Sequence, residues 1–223
     1  MVRITLETMV DLVKKELRGV HSWVTTVAAL VALGFSCYNF AHQLEDDPRP
    51  DATLPVMLKM TRDGGGVSVF VQPTVFTRFN TPEAELFTDV RLRLRHGTGA
   101  VPEPNFYWLR NVKWFVDHGN PTKDIRFDVT WEFESDPGPF TITQALPRQP
   151  YIQFRTNDWK LAPGPYQGAL TFMRQSAATP IERPFCLVLS ATDVTDLSAD
   201  PGWYEFRTDV PGKKQGGCYS RYG

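Results

Sequence analysis

The spacing of apolar side chains changes twice along this chain. Over the first 20 residues they recur at helical spacing, and the apolar set is Leu6, Met9, Val10, Val13, Leu17 and Val20. Charged residues fill the opposite side of the same helical projection, which predicts an amphipathic helix over residues 1–20. From Trp23 to Ala41 no side chain is charged, and from Val56 onward apolar and polar residues alternate. An apolar segment and a region of strands are therefore expected to follow the first helix.

The uncharged segment predicts a transmembrane helix over residues 21–44. An α-helix rises ~1.5 Å per residue, so ~20 apolar residues cross the hydrocarbon core of a bilayer. Trp23 lies at one end of the segment, and Tyr38 and Phe40 lie at the other. Aromatic residues at both ends are typical of interfacial anchors, which sit at the level of the lipid headgroups. The lipid bilayer is therefore the first expected partner.

Small residues line one face of this helix. Ala28, Ala32 and Ser36 are spaced four residues apart. Such a stripe lets a second helix approach closely, and close packing drives helix association in lipid. We expect these three positions to pack against a partner helix. The alternative is that they reflect only the abundance of alanine in membrane helices.

The charges that flank the segment predict its orientation. The basic residues before it are Arg3, Lys14, Lys15 and Arg18, whereas acidic residues dominate the stretch behind it. Because Lys and Arg are retained on the cytoplasmic side, the N-terminus is expected in the cytoplasm and the C-terminal part in the periplasm or outside the cell. The alternatives are a cleaved signal peptide and a lipoprotein signal ending at Cys37, which the long leader and the apolar residues beyond Cys37 fit poorly.

Alternating residues predict an antiparallel β-sandwich over residues 56–210. The clearest alternation runs from Ile125 to Phe133, where every second side chain is apolar. This period is typical of a strand with one face on a core and the other in water. Turn pairs such as Pro137-Gly138 separate about eight to ten such segments. No helix of ten residues is expected among them, which leaves sheet packed on sheet.

Two segments beside this domain are expected to lack regular structure. Residues 45–55 contain Pro48, Pro50 and Pro55, which favour an extended linker. Residues 211–223 are rich in glycine and are expected to form a flexible tail.

The sequence around one tyrosine indicates a particular type of β-sandwich. Leu161-Ala-Pro-Gly-Pro-Tyr166 leads into Gly168, Leu170 and Phe172, which share a strand face with Tyr166. The stretch resembles the corner before the penultimate strand of immunoglobulin-like and fibronectin-type sandwiches, where a tyrosine hydroxyl bonds to nearby backbone. The resemblance implies a sandwich of that type and carries no function with it. An antibody-type domain is not expected, because no pair of core cysteines flanks a tryptophan.

Two of the three cysteines are candidates for a disulfide. Cys186 and Cys218 both follow the membrane segment and would face an oxidising compartment. A bond between them would join the tail to a strand and would stabilise the fold by roughly 3–4 kcal/mol in the chain-entropy model. A disulfide to another chain is the alternative.

Patterns typical of catalysis or cofactor binding are lacking in the sequence. The four histidines are scattered, and none stands at a ligand spacing or in a haem-attachment motif. Asp193, Asp196 and Asp200 would suit a calcium loop in an envelope enzyme, but a solvated turn is the simpler interpretation. The net charge of −1 argues against a nucleic-acid-binding protein. We therefore expect no catalytic residue, no metal site and no cofactor.

An arginine-rich strand is the first candidate binding surface of the outer domain. Arg91, Arg93 and Arg95 project from one strand face and would grip an acidic partner surface. The alternative is pairing with acidic residues across the sheet. Those residues would be Asp128, Glu132 and Glu134.

An aromatic stretch is the second candidate. Trp108 and Trp114 would stack sugars if they were exposed, since aromatic rings on a sandwich can serve as sugar platforms. Both are expected on one strand face, and packing into the core is the simpler use.

Features that suit interaction thus occur in each part of the chain. The expected function is that of a non-catalytic accessory or scaffold subunit of a larger envelope or energy-transducing membrane complex. It would bind other integral membrane subunits through its helix and its outer domain. A membrane-anchored glycan-binding module is the alternative.

Overall fold

The computed structural model describes residues 23–40, 49–78, 84–99, 101–116, 129–199, 202–209 and 217–221. The amphipathic helix predicted for residues 1–20 lies outside the described residues. The chain divides into two compact units, Met1–Asp47 and Pro48–Gly223.

Helix α1 (Trp23–Phe40) is the described element of the first unit, and the uncharged segment forms it. Its 18 residues have a mean hydropathy of 1.4. The helix is therefore long and apolar enough to span a membrane, a property that it shares with signal sequences.

The second unit consists mainly of strands. In chain order these are β1 (Pro50–Thr53), β2 (Met57–Asp63), β3 (Gly66–Val71), β4 (Thr74–Thr77), β5 (Glu85–His96), β6 (Tyr107–Val116), β7 (Val129–Ser135), β8 (Phe140–Ile142), β9 (Ile152–Thr156), β10 (Gly164–Arg174), β11 (Ile181–Leu189), β12 (Trp203–Arg207) and β13 (Ser220–Arg221). A short helix, α2 (Ala191–Ala199), lies between β11 and β12.

The strands form two main sheets. The larger has seven strands in the order β13-β12-β2-β3-β9-β6-β7, and the smaller has four in the order β11-β10-β5-β8. Strands β1 and β4 form a separate pair. The paired strands named above are antiparallel, and among the described residues a single parallel bridge joins Leu187 of β11 to Tyr219.

Apolar residues of both main sheets meet in one core. Every second residue of β3 and of β5 points into it, because residues i and i+2 lie on one face of a strand. These core residues are Val67, Val69, Val71, Val90, Leu92 and Leu94. The prediction of a mainly β fold in antiparallel sheets is confirmed.

The corner at residues 161–166, called the tyrosine corner below, has the hydrogen bonds that the sequence predicts. The Tyr166 hydroxyl donates to the carbonyl of Ala162 at 2.9 Å and accepts from the Ala162 amide at 3.0 Å. The ring is buried, with Trp159 edge-on at 5.5 Å between centroids. Burial raises the pKa of the phenol above its usual value.

The predicted linker over residues 45–55 needs correction, because β1 lies within it and pairs with β4. Asp51 of β1 is only 5% exposed and forms ion pairs with Arg78 and Arg183. These two arginines are distant in sequence, so local composition could not reveal that they would bury an aspartate. Pro50 is the first residue of the strand, where a missing amide is tolerated.

The prediction of a flexible tail over residues 211–223 is wrong for the part of it that the structure describes. The Tyr219 amide donates to the carbonyl of Cys186 at 2.8 Å, and its carbonyl accepts from the Val188 amide at 2.9 Å. The next two residues form β13, which pairs with β12. Tyr219 is 2% exposed, so the anchoring comes from burial and backbone pairing that glycine content does not indicate.

Helix α2 was not expected from the sequence. A reciprocal cap begins it: the Ser190 hydroxyl accepts from the Asp193 amide at 3.1 Å, and an Asp193 oxygen accepts from the Ser190 amide at 2.7 Å. This is the capping-box arrangement, with aspartate in place of glutamate. Leu197 is fully buried beneath the helix. At nine residues the helix is too short to give a clear apolar period.

Candidate interaction surfaces

The arginine face is the outward side of β5, defined by Arg91, Arg93 and Arg95. All three side chains are exposed, and the intervening residues are buried, as the alternation predicts. Strand β10 lies beside β5 and places Gln167 opposite Arg95. The arginine face therefore belongs to the outer surface of the four-stranded sheet.

The three arginines differ in their partners. Arg91 Nε lies 2.7 Å from an Asp89 carboxylate oxygen. Arg95 Nη2 donates to the side-chain oxygen of Gln167 at 2.8 Å. Arg93 has no ion pair within the part of the chain that the structure describes. Of the three guanidinium groups on this face, that of Arg93 is thus the most available to bind another molecule.

An open groove of about 330 Å³ lies beside this face. Arg93 and Arg95 line one part of it, and Glu103 and Glu182 contribute opposite charge. Gly168 and Ala169 form a low floor. Alternating charges of this kind suit a polar protein surface better than a small anion, because the two glutamates offset the positive potential.

The predicted pairing of these arginines with acidic residues across the sheet is wrong for Glu132 and Glu134. Both lie on β7, in the seven-stranded sheet, whereas β5 belongs to the four-stranded sheet. Asp128 lies outside the described residues. Alternation assigns residues to a face of a strand but does not say which strands share a sheet.

An aromatic cluster lies on the other side of the β unit, on the outer face of the seven-stranded sheet. Its members are Phe70, Trp114, Trp131, Tyr151 and Trp203. Phe70 is fully buried although its neighbours on β3 point into the core between the sheets. Ring centroids lie 4.9 to 6.1 Å apart, within the range of favourable aromatic contacts.

Charged side chains close over this cluster. Lys59 Nζ lies 4.2 Å from the Trp114 ring centre and 3.5 Å from a Glu205 oxygen. The Arg110 guanidinium lies 5.3 Å from the Trp131 ring centre. Burial raises the pKa of the Tyr151 phenol, and the charge of Glu205 adds to that shift. The cluster is therefore a second, small core in which Phe70 is fully buried and the other four rings are partly exposed.

Trp108 and Trp114 do not lie on one strand face. Trp108 stands opposite Phe154 and packs against the core between the sheets, whereas Trp114 joins the aromatic cluster. The cause is a β-bulge: Trp108 and Arg110 oppose consecutive residues of β9, so Leu109 is extra. One extra residue reverses the inward and outward sides of the rest of a strand.

All 18 residues of helix α1 have exposed side chains. The three small residues, Ala28, Ala32 and Ser36, are all exposed. The aromatic residues at its ends, Trp23, Tyr38 and Phe40, are exposed as well. Cys37 is a free thiol on the same helix.

Cys186 and Cys218 are joined by a disulfide that closes a separation of 32 residues. The bond ties β11 to the end of the chain. Arg221 lies three residues further on and forms ion pairs with Asp193 and Asp196 of α2.

The carboxylates considered for calcium therefore have a different partner. Arg221 supplies positive charge to both Asp193 and Asp196, and Asp200 lies outside the described residues. Among the residues that the structure describes, no group of three potential ligands stands close enough to hold a metal ion.

Comparisons with known proteins give little likeness. No family model and no curated protein matches this chain. Among solved structures, a family 123 glycoside hydrolase from Clostridium perfringens, studied for glycolipid glycan hydrolysis, matches over 55% of this chain at 10% identity, with a TM-score of 0.33. The match covers 21% of that protein's own length, and at this TM-score the likeness carries no argument about function.

Proposed function

We propose that this chain is a non-catalytic accessory or scaffold subunit of a larger membrane complex, held in the bilayer by α1. The observation that carries the proposal is that none of the 18 residues of this largely apolar helix is buried among the residues that the structure describes. Exposed apolar area costs roughly 25 cal/mol per Å² in water, so the helix requires lipid or a partner helix around it.

The proposed orientation places the N-terminus in the cytoplasm and the β unit in the periplasm or outside the cell. The excess of Lys and Arg before α1 supports it. The disulfide between Cys186 and Cys218 supports it independently, because such bonds persist in oxidising compartments.

In this proposal the β unit is an immunoglobulin-like sandwich that docks on other subunits. The tyrosine corner at Tyr166 supports that fold type. The arginine face supplies the docking surface, and Arg93, which has no ion pair among the described residues, would meet an acidic side chain of a partner.

The membrane contact would use Ala28, Ala32 and Ser36. They lie on one side of α1, and no larger side chain stands between them on that stripe. Val27 and Gly34, two turns apart on the opposite side, offer positions for control substitutions.

The experiment is mild detergent extraction of native membranes, size fractionation and identification of the proteins that travel with the chain. The proposal predicts co-migration with a larger complex in fixed stoichiometry. Ala28→Leu with Ala32→Leu should abolish it, whereas Val27→Leu with Gly34→Leu should leave it intact. Migration of the wild-type chain as a monomer or homodimer would refute the subunit function.

A glycan-binding module remains the second proposal, and the exposed rings Tyr107 and Phe133 are what favour it. They are 45% and 54% exposed on neighbouring strands of the seven-stranded sheet. Trp108 and Trp114, the residues first considered for that function, lie on opposite faces and are partly buried. Binding of envelope glycans that is lost on Tyr107→Ala with Phe133→Ala would support this second function.

A further inference from the structure

The edge strands of the two sheets differ in whether another segment of the chain pairs with them. The tail covers β11, through the backbone hydrogen bonds of Tyr219 with Cys186 and Val188. The same tail covers β12, where Ser220 and Arg221 add the short strand β13. At the other end of the seven-stranded sheet, β7 pairs with β6 alone within the described residues.

Strand β7 has the properties of an open edge. It is seven residues long, and about half of its amide and carbonyl groups must point away from β6. Such groups form a ready template for another strand. Glu132, Phe133 and Glu134 are all exposed, so neither face of this strand is covered by the four-stranded sheet.

One face of β7 is a fixed aromatic platform. Trp131 is held by Phe70, at 6.1 Å between ring centroids, and by the Arg110 guanidinium. Phe133 follows on the same face, opposite Val112 of β6, and is 54% exposed. A partner strand would therefore find apolar contacts at alternate positions on this side.

The other face of β7 is acidic. Glu132 stands opposite Lys113 of β6 without an ion pair among the described residues. Glu134 is the extra residue of a bulge and has no residue opposite it on β6. Both carboxylates are thus available to basic side chains of an added strand.

A second copy of this chain fits the edge poorly. Suppose that the β7 strands of two copies pair in antiparallel fashion. If Glu132 lies at the centre of the pair, it stands directly opposite Glu132 of the other copy. If Phe133 lies at the centre, Glu132 of each copy stands opposite Glu134 of the other. Like charges directly opposite each other destabilise paired strands. The charge pattern therefore disfavours self-association and suits a strand of opposite charge.

We propose that β7 is a docking edge for an extended segment of a partner protein with Lys or Arg at alternate positions and apolar residues between them. The segment would extend the seven-stranded sheet by one strand, a known mode of peptide recognition. Its basic side chains would meet Glu132 and Glu134, and its apolar side chains would cover Trp131 and Phe133. The inference depends neither on α1 nor on the arginine face.

The test uses the full chain in non-ionic detergent and a fluorescent seven-residue probe of alternating Lys and Val. Fluorescence anisotropy measures binding of this probe, of the same peptide with Glu in place of Lys, and of a copy with alternate backbone nitrogens methylated. The basic probe should bind at least tenfold more tightly than either control peptide. Amide hydrogen exchange should slow at residues 129–135 when it binds.

Charge reversal supplies the matched variant. Glu132→Lys with Glu134→Lys should reverse the preference, so that the acidic peptide binds and the basic probe does not. Arg148→Gln with Lys160→Gln removes two exposed charges on other segments and should leave binding of the basic probe unchanged. Absence of binding by the basic probe, equal binding of all three peptides, or unchanged exchange at β7 would each overturn the proposal.

Discussion

Gly168 is the position in the four-stranded sheet where an added methyl group has the least room. A Cβ atom there would clash with the Phe185 ring, which packs in turn against Tyr219. Gly168→Ala should therefore lower the free energy of unfolding by about 1–3 kcal/mol, the usual cost of overpacking. Denaturant unfolding measures it. Gly138→Ala is the control, because its Cβ would meet nothing closer than 4.0 Å; equal stability of the two variants would contradict the packing described.

Buried tyrosines make stability depend on alkaline pH. Burial raises the pKa of Tyr219 to about 12 from its ordinary value of 10.0, so the folded state holds this proton more tightly than the unfolded state. The stability that this provides is complete below pH 10 and is lost as the pH rises through 10 towards 12. Denaturant midpoints at pH 9 and 11 should therefore differ, and the difference should shrink in Tyr219→Phe. Tyr107→Phe removes an exposed hydroxyl and should keep the wild-type difference; a midpoint independent of pH would refute the argument.

The disulfide between Cys186 and Cys218 is expected to stabilise the fold. Closing a separation of 32 residues restricts the unfolded chain, and its loss should cost about 3–4 kcal/mol. Unfolding midpoints of Cys186→Ala with Cys218→Ala, or of the wild type with reductant, should fall accordingly. Cys37→Ser should respond to reductant as the wild type does. A midpoint unaffected by reductant would mean that the bond does not form.

At the scale of elements, substitutions on strand β5 test whether the arginine face binds a partner. Arg93 and Arg95 are exposed, so Arg93→Gln with Arg95→Gln should change the free energy of unfolding by no more than about 0.5 kcal/mol. Retention of the native partner after size fractionation should nevertheless decrease, most clearly at low salt. Arg148→Gln with Lys160→Gln removes two exposed charges elsewhere and serves as control. Equal retention in both variants would place the contact on another surface.

The elements that the sequence predicts are those that a local pattern encodes. Helix α1 follows from a run without charge, and β5 follows from strict alternation of Leu and Arg. Strand β1 could not be predicted in this way, because Arg183, which is 132 residues away from Asp51, helps to bury it. The faces of Trp108 and Trp114 could not be predicted either, since Leu109 carries no sign that it will bulge.

The two binding surfaces differ in how far the sequence reveals them. The exposure of Arg91, Arg93 and Arg95 can be predicted from the alternating sequence of β5 alone. The open edge of β7 is not, because it depends on the order of strands in the sheet and on the tail that covers β11 and β12. Strand order is a long-range property, and no period in a sequence reports it.

At the scale of the whole molecule, the end of the chain links the two sheets. Tyr219 bonds to β11 of the four-stranded sheet, and β13 pairs with β12 of the seven-stranded sheet. Arg221 adds ion pairs to α2. The tail thus closes the β unit along β11 and β12, whereas β7, at the other end of the seven-stranded sheet, has β6 as its one neighbouring strand within the described residues.

The central claim is that α1 remains part of the mature chain and holds it in a membrane. The most direct measurement is the intact mass of the chain recovered from native membranes after an alkaline wash. Retention in the washed membrane with a mass that includes α1 is the predicted result. Recovery of a shorter chain in the soluble fraction, cut within or just after α1, would show that the helix is a signal sequence and would contradict the account.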